Sequence, residues 1–571
     1  MIATGGLILL AGVWLIVTGL LARGQLQSVR TEVHQLRAQL TSGDLTGART
    51  TLAALQTHAQ RAHGLTTGPV WALAAQLPSG GEPIKTVRGI TSSADELASK
   101  ALPTLIDVRA KLEPGKLRSA DGRIDLAAIS AVRPALDRAD SVMQTETARI
   151  GALPESTWVS PVDRARTDLL TQLRGLAGEV RSADLAVHIA PPMLGASGTK
   201  RYFVGFQNEA EARGTGGLPG AFGILEVTNG KLHFTRFEND SYLGTRPTGL
   251  NFGADYQQLY QGDGTTSLYV NSNVSPNFPY VGKIWATMWQ KASGQRVDGT
   301  IALDPTALSY LLAVTGPAKL PAGEQVDAGN VVALTQSTAY ARFGRNVAGR
   351  KEYLLTIAKA ASTQIVDAHG SNSELLKAGG KAVGERRLLV WSADPAVQAD
   401  LAQTAAAGIV PDTTQPYAGP VVINAAGNKL DYYLERSFTW QRTGCGSLRK
   451  VTATVTLTNT APATGLTPYV TNRGDQHPDG VRPGDNRVDL EYFATRGALM
   501  DSMTVDGKPG TVGSGVERGH PVLIADIELP RGATRTIVFH LTEPEGKGSP
   551  QVLRQPLVRP MNVTIDDAKC N

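Results

Sequence analysis

Apolar residues form an unbroken run at the start of the chain. Residues 2–22 contain no charged side chain, and about 21 helical residues cover the ~30 Å hydrocarbon core of a bilayer. The run is longer than the apolar region of a cleaved signal peptide, and no basic residue precedes it. The pattern therefore predicts an uncleaved transmembrane anchor at 2–22, with a cleaved signal peptide as the alternative.

Apolar positions then continue at alternating spacings of three and four residues, which is the pattern of helices that bury one face. Segments rich in Gly, Pro or Ser divide this stretch and predict separate helices, among them 94–112, 126–150 and 162–185. Residues 23–190 are therefore predicted to form a helical stalk or bundle. A spacer is its simplest role, and a specific binding surface is the alternative.

The pattern changes twice more towards the C-terminus. Residues 196–415 alternate short apolar strands with helical segments, and the pair Asn229-Gly230 is typical of a type I′ hairpin turn. From about residue 420, period-two runs favour a β-sandwich of immunoglobulin-like size over 420–571. The predicted fold class is multidomain α+β: a transmembrane helix, a helical bundle, a central α/β domain and a C-terminal β-sandwich.

The overall charge carries little information about partners. The 571 residues include 56 Lys and Arg and 51 Asp and Glu, which gives a net charge of +5. Such a small excess over a long chain gives no reason to expect a nucleic-acid partner, although a local anion site is compatible with it.

Whether the two cysteines form a disulfide depends on the cellular compartment of the protein. Cys445 and Cys570 would form a disulfide in an exported protein and stay free thiols in a cytosolic one. Arg23, Arg30 and Arg37 follow the apolar run, and the positive-inside rule alone would keep the body in the cytoplasm. A body this large can translocate despite such charges. We therefore predict a single-pass cell-membrane protein with an extracytoplasmic body and a Cys445–Cys570 disulfide.

The segment 208–217 is the first candidate site. A glycine-rich turn containing Gly216 and Gly217 can present backbone N–H groups to an anion, and Arg213 would add a guanidinium. The segment has neither the Lys-Ser/Thr of a Walker loop nor the G-x-G-x-x-G spacing of dinucleotide-binding proteins. The alternative is a structural turn in which Arg213 pairs with a neighbouring acid such as Glu211.

A cluster of cations is the second candidate site. Arg342, Arg345, Arg350 and Lys351 follow Tyr340 in a glycine-containing link between two predicted helices. Planar guanidinium groups bind phosphate through two hydrogen bonds each, so such a cluster could hold a phosphate or pyrophosphate. A solvated surface loop is the alternative.

These segments resemble a known family. Residues 202–232 (YFVGFQNEAEARGTGGLPGAFGILEVTNGKL), 297–321 (VDGTIALDPTALSYLLAVTGPAKLP) and 330–343 (NVVALTQSTAYARF) are similar to the domain-of-unknown-function 4012 family of membrane-anchored proteins from actinobacteria and other Gram-positive bacteria. The resemblance covers 196–415 and implies a cell-envelope protein. Because the family has no settled activity, the resemblance implies an architecture and no particular reaction.

A more distant resemblance is to the LytR-CpsA-Psr phosphotransferases, which transfer lipid-linked wall polymers to peptidoglycan. It implies a LytR-CpsA-Psr-like α/β domain that binds a polyprenyl pyrophosphate. By motif position the ligand would be held by the four arginines Arg213, Arg342, Arg345 and Arg350. The supporting residues of the two motifs are Asn208, Glu211, Gly216, Gly217 and Tyr340.

The chain departs from those enzymes at two positions. Thr215 and Asn346 stand where the resemblance would require acids. The departure puts metal-dependent transfer in doubt and leaves anion binding intact. No cofactor is therefore firmly implied, and Mg²⁺ is compatible with the family chemistry although its expected acid ligand is absent.

Two functional hypotheses follow from the sequence. In the first, a membrane-anchored envelope protein binds a lipid-linked, phosphate-bearing glycan, with transfer of that glycan to the wall as an open extension and no assigned catalytic residue. In the second, a non-catalytic envelope scaffold binds partner proteins, and the arginines only support the structure. A hydrolase has no supporting H-E-x-x-H or G-x-S-x-G motif.

Overall fold

The computed structural model describes residues 2–78, 80–112, 117–119, 122–367, 372–443, 446–477, 479–546 and 548–567, with the backbone alone for residues 2–9. The chain folds into two compact units. One contains Met1–Ser119 and Asp125–Pro192, and the other contains Ala120–Ile124 and Met193–Asn571. We refer to them as the helical unit and the mixed unit.

The helical unit follows the apolar periodicity of its sequence. Its elements are α1 Ile2–Ser42, α2 Leu45–Thr66, α3 Pro69–Ala74, α4 Glu82–Glu96, a π-helical turn Leu97–Ala101, α5 Leu102–Lys111, α6 Leu126–Gly151 and α7 Ser160–Met193. The first two helices form an antiparallel hairpin. Leu36 on α1 and Leu55 on α2 belong to one buried core, and Gln25 meets His58 at 2.8 Å nearer the other end of the hairpin.

The predicted anchor at 2–22 is wrong, because no helix among the described residues is long and apolar enough to cross a membrane. The single-pass membrane localisation and the membrane as a partner are corrected with it. The apolar run is the first part of α1, which continues through polar residues to Ser42. Trp71 on α3 covers part of it, since its indole N–H donates to Thr18 Oγ1 at 2.9 Å. Ala22 is fully buried, so part of the described apolar face packs against protein.

The mixed unit begins with a five-stranded sheet. In spatial order its strands are β3 Lys231–Asn239, β2 Gly216–Thr228, β1 Lys200–Arg213, β4 Gly299–Leu303 and β7 Leu388–Ser392. β1 and β4 are parallel, and the other neighbours are antiparallel. Asn229 and Gly230, with φ of 46° and 78°, connect β2 to β3, which confirms the predicted hairpin. A short hairpin, β5 Ala318–Lys319 and β6 Gln325–Val326, stands apart from the main sheet.

The mixed unit also contains helices, and several of them pack against this sheet. They are α8 Ala254–Tyr260, α9 Phe278–Ser293, α10 Pro305–Thr315, α11 Val331–Ala333, α12 Ala339–Phe343, α13 Val347–Asp367, α14 Asn372–Gly384, α15 Pro395–Leu401 and α16 Pro468–Thr471. α9 can pack on β1 because Gly205 on that strand leaves room for the Trp285 ring. A Cβ at position 205 would come within 2.5 Å of the indole. Trp285 and Trp289 are buried core residues, as their spacing predicts.

Two further sheets pack face to face. One has the order β13 Lys508–Pro509, β12 Leu499–Val505, β16 Thr534–Pro544, β10 Leu448–Asn459, β9 Leu434–Thr443, β18 Asn562–Asp567; the other has the order β14 Gly513–Glu517, β15 His520–Leu529, β11 Asn486–Phe493, β8 Tyr417–Asn424, β17 Gln551–Val552. Phe438, Tyr492 and Phe539 from the two sheets share one core. This pair of sheets is the β-sandwich part of the fold.

The α/β part and the sandwich form one compact unit because the second sandwich sheet has apolar residues on both faces. Tyr492 faces the sandwich core, whereas Val421 and Phe493 pack with Phe278 and Trp285 of the α/β part. The fold is therefore a mixed α+β architecture with several sheets, in which the sandwich is continuous with the α/β core.

The C-terminal strand returns to the sandwich through backbone and ionic contacts. β18 pairs in parallel with β9, and Arg442 Nε lies 2.7 Å from Asp567 Oδ1. Cys445 and Cys570 both lie outside the described residues. The predicted Cys445–Cys570 disulfide therefore falls outside the part of the chain that the structure describes, and within that part the contacts of β18 attach the C-terminal strand to the sandwich.

Candidate functional site

The segment 208–217 forms the end of β1, a tight turn and the start of β2. Asn208 pairs with Leu218 and Ala212 pairs with Gly217, so residues 209–211 bulge out of the β-ladder. Glycine is needed at 217 because a Cβ there would lie 2.1 Å from the backbone carbon of Asn208. The bulge turns the side chains of the motif towards the junction between the α/β part and the sandwich.

Glu209 enters a buried ion network at this junction. Arg387 Nη1 lies 2.6 Å from Glu209 Oε1 and 2.9 Å from Asp304 Oδ2, and Nη2 donates to the Leu557 carbonyl at 2.9 Å. Burial and the Asp304 carboxylate raise the pKa of Glu209 well above its usual range. Burial lowers the pKa of Arg387, but Asp304 and Glu209 outweigh it and raise that pKa. The network joins β1, α10 and the final segment of the sandwich.

Glu211 forms a second buried network. Arg213 Nη2 lies 3.2 Å from Glu211 Oε1, and the ammonium of Lys429 donates to Oε2. Burial favours a raised pKa for Glu211, but the charges of Lys429 and Arg213 hold the pKa below its usual value. The other acceptors of Arg213 are the carbonyl oxygens of Ala212 and Val270 and the side chain of Asn271. Arg213 is therefore engaged with protein acceptors, and its role in ligand binding stays a prediction.

Tyr340 and Arg350 come close to the same network. The Tyr340 hydroxyl accepts a hydrogen bond from Asn208 Nδ2, and its ring stacks on Tyr469 with centroids 5.8 Å apart. Arg350 Cζ lies 3.7 Å from the centroid of Tyr469 and 5.1 Å from that of Tyr340. Arg350 is only 2% exposed, and its guanidinium donates to the Gly344 carbonyl at 3.3 Å. None of its described contacts is to a carboxylate.

Arg342 and Arg345 lie outside this network. Arg342 binds Glu324 through two hydrogen bonds of 2.9 Å and lies 4.8 Å above the Tyr353 ring. The hydrogen bonds of Arg342 and Tyr353 to Glu324 lower the pKa of that carboxyl. Arg345 is exposed, and its side chain has no hydrogen bond or ion pair with the described residues. The four predicted arginines therefore do not converge on one ligand position.

Three residues that join the motif to the rest of the unit have no signal in the sequence around them. Lys429 is 218 positions from its partner Glu211, and Arg387 is 178 positions from its partner Glu209. Tyr469 lies farther from the motif than either. Thr215, at the position where an acid would bind a metal, is buried and donates to Gln207 Oε1 at 2.6 Å. Only the return of distant segments to β1 identifies these residues.

A cavity of about 230 Å³ lies beside Lys429. Its walls come from the segment around α12, from the loop before α16, and from Lys429 and Tyr433. The residues that line it are Gln336, Ser337, Ala341, Lys429, Tyr433, Pro462, Thr464, Gly465, Leu466, Thr467 and Val470. A single water needs about 10–15 Å³ by this kind of measure, so the cavity has room for a much larger group. It is a candidate binding site that Lys429 connects to the network of the motif.

Comparison with known proteins identifies one family. No curated protein and no solved structure matches the chain, and the resemblance to the LytR-CpsA-Psr phosphotransferases is not shown. Residues 197–340, which span β1 to the start of α12, match the model of the family described as "Protein of unknown function (DUF4012)", and this match confirms the family predicted from the sequence.

Proposed function

We propose that this protein binds a phosphate-bearing glycan in the cavity beside Lys429. The observation that carries the proposal is the position of this lysine, which lines the cavity and belongs to the network of the family motif. The proposal contains no transfer step. Its ligand class follows from the charge and the hydrogen-bonding groups around the cavity.

The cavity borders a network that contains three cations, Lys429, Arg213 and Arg350. The Lys429 ammonium has three donors, and one of them goes to Glu211. Glu211 also balances Arg213, and Arg350 adds a third cation that is held by aromatic rings and a carbonyl. Two of these cations bind one carboxylate, and the third, Arg350, has no described contact with a carboxylate, which favours an anionic group such as a phosphate beside Lys429.

The rest of the lining suits a sugar. Ser337, Thr464 and Thr467 supply hydroxyl groups, and Gln336 supplies an amide, although this amide also contacts Glu209 at 3.3 Å. Hydroxyl and amide groups donate and accept, as the hydroxyls of a sugar do. The Tyr433 ring adds an apolar surface with a polar tip. A ligand with a phosphate and sugar hydroxyls would use both parts of the cavity.

The proposal moves the ligand away from the arginines that the sequence singled out. Arg213 and Arg342 are both bound to carboxylates. Arg350 packs on the ring of Tyr469, which in turn contacts the cavity-lining Lys429. The second candidate function, a non-catalytic scaffold that binds partner proteins, is favoured by this internal pairing. In that case the cavity would have no ligand.

Titration calorimetry with two probes tests the proposal. Glucose 1-phosphate represents the sugar phosphate alone, and farnesyl phosphate represents a lipid-linked phosphate. Ala341→Phe would fill the cavity from its exposed rim and leave the charge network unchanged. Arg345→Ala is the matched control from the cation cluster, because Arg345 does not line the cavity.

We expect one of the two probes to bind the wild-type protein, Ala341→Phe to abolish that binding, and Arg345→Ala to leave it within about twofold. Loss of binding in Arg345→Ala with retention in Ala341→Phe would move the site to the cation cluster. No binding of either probe would favour the scaffold function.

A further inference from the structure

A cluster of potential metal ligands lies in the helical unit, apart from the proposed ligand cavity. It contains Asp137 on α6 and Asp184 and His188 on α7. One ligand atom from each residue lies within 4.8 Å of the other two. His188 Nε2 is 2.8 Å from Asp137 Oδ1 and 3.9 Å from Asp184 Oδ1.

Helix geometry and packing bring these residues together. Asp184 and His188 are four residues apart and therefore occupy one face of α7. Leu136 on α6 and Val187 on α7 belong to the same buried core, which places the neighbouring residues of the two helices side by side. The sequence offers no motif for this cluster, because Asp137 is 47 positions before Asp184 and comes from another helix.

Two ligand atoms of the cluster are buried without a hydrogen-bond partner. Asp184 is only 2% exposed, and its Oδ1 has no hydrogen bond among the described residues. His188 Nε2 is also buried and has none that meets the geometry of a hydrogen bond. A buried carboxylate oxygen without a donor is costly, so Asp184 Oδ1 points to a missing electrophilic partner.

The charge of the cluster matches a divalent cation. Arg181 lies 3.0 Å from Asp184 Oδ2 and 3.2 Å from Asp140 Oδ2. With Asp137 included, three carboxylates and one guanidinium leave a formal charge of −2 when the histidine is neutral. Arg181 binds the Oδ2 atom of Asp184, so the Oδ1 atom that faces His188 is left for a cation.

We propose that Asp137, Asp184 and His188 bind a zinc ion that links α6 to α7. The imidazole nitrogen selects zinc over Mg²⁺ or Ca²⁺, which prefer sites made only of oxygen ligands. Three protein ligands leave the fourth position of a tetrahedral zinc ion for water. The ion would hold two helices of the bundle together.

Calorimetry on the full-length protein, stripped of metal with a chelator, tests the site with zinc chloride as the titrant and magnesium chloride as the comparison. We compare His188→Ala and Asp137→Asn with His63→Ala, a half-buried histidine on α2 of the same unit. Thermal unfolding with and without zinc gives a second readout, because a ligand that binds only the folded state raises the unfolding midpoint.

We expect the wild-type protein to bind one zinc ion per chain at this site. The apparent dissociation constant for zinc should rise at least about tenfold in His188→Ala and in Asp137→Asn. It should be unchanged in His63→Ala. Zinc should raise the unfolding midpoint of the wild-type protein and of His63→Ala, and Mg²⁺ should not. The proposal fails if the wild-type protein does not bind zinc, or if both ligand variants bind it as the wild type does. Circular dichroism without metal checks that the variants fold. If His188→Ala does not fold, Asp137→Asn still tests the site, because Asp137 is partly exposed.

Discussion

The two candidate segments of the mixed unit, 208–217 and 340–351, place their charged residues differently. In the segment 208–217 the charged residues are buried at a junction, where Glu209 and Glu211 each bind cations from distant parts of the chain. Among the cations of the segment 340–351 only Arg350 is buried, whereas Arg342 forms an ion pair at the surface and Arg345 is exposed. Charged residues therefore lie in the interior in one segment and mostly at the surface in the other.

This difference shows that a count of cations does not locate an anion site. A buried charge must be compensated, since an unpaired one costs several kcal/mol, so the bulge of β1 is surrounded by partners. An exposed cation is hydrated and needs none. The candidate ligand site lies beside Lys429, which binds Glu211 of the first segment, and its lining includes Ala341 of the second segment.

The largest expected effect is that of removing the cation of the Glu209 network. Arg387→Met leaves the carboxylates of Glu209 and Asp304 buried without their shared partner. We expect the free energy of unfolding to fall by about 3–5 kcal/mol, measured by urea denaturation of the full chain. A loss below about 1 kcal/mol would show that the two segments do not differ in the way described.

Replacement of Lys429 should have an intermediate effect. Lys429→Met removes one of two cations that bind Glu211 and leaves Arg213 in place, so we expect a loss of about 1.5–3 kcal/mol at neutral pH. Lys450→Met is the matched control, because Lys450 forms an exposed pair with Asp501, and its loss should stay below about 1 kcal/mol.

The effect of Lys429→Met should also depend on pH. The folded state lowers the pKa of Glu211, so its contribution to stability is present above the unfolded pKa of about 4.3 and is lost as the pH falls through the folded value. The difference between wild type and Lys429→Met should therefore shrink in acid. A difference that grows below pH 4 would contradict the assignment of Glu211 as the charged partner.

The smallest effects are expected in the surface segment. Arg342→Met breaks a partly exposed pair with Glu324 and should cost about 0.2–1 kcal/mol. Arg345→Met should change the free energy of unfolding by less than about 0.5 kcal/mol. If Arg345→Met were as costly as Arg387→Met, the surface assignment of this segment would be wrong.

Much of the local structure could be predicted from the sequence because it depends on neighbours in the chain. The helices at 94–112, 126–150 and 162–185, the hairpin at Asn229-Gly230 and the change to β-structure near residue 420 all follow from apolar spacing and turn residues. The anchor at 2–22 was wrong, because no helix among the described residues is long and apolar enough to cross a membrane. Trp71 on α3 covers Thr18 on the described part of that helix.

The candidate site could be predicted only in part. Asn208, Glu211, Arg213, Tyr340 and Arg350 do lie near one another, but Arg342 and Arg345 do not join them. Lys429, Tyr469 and Arg387 come from segments whose own sequences contain no motif. Such partners are selected by burial, which acts between residues that are distant in sequence.

By itself the sequence determined the family of residues 197–340, the class of most elements, and the two segments where charge is concentrated. Tertiary structure decided which charges are buried, which acids balance them, and where space remains for a ligand. Periodicity and turn chemistry act over a few residues, so a sequence displays them. Compensation of buried charge depends on segments up to 218 residues apart, and only the folded chain brings them together.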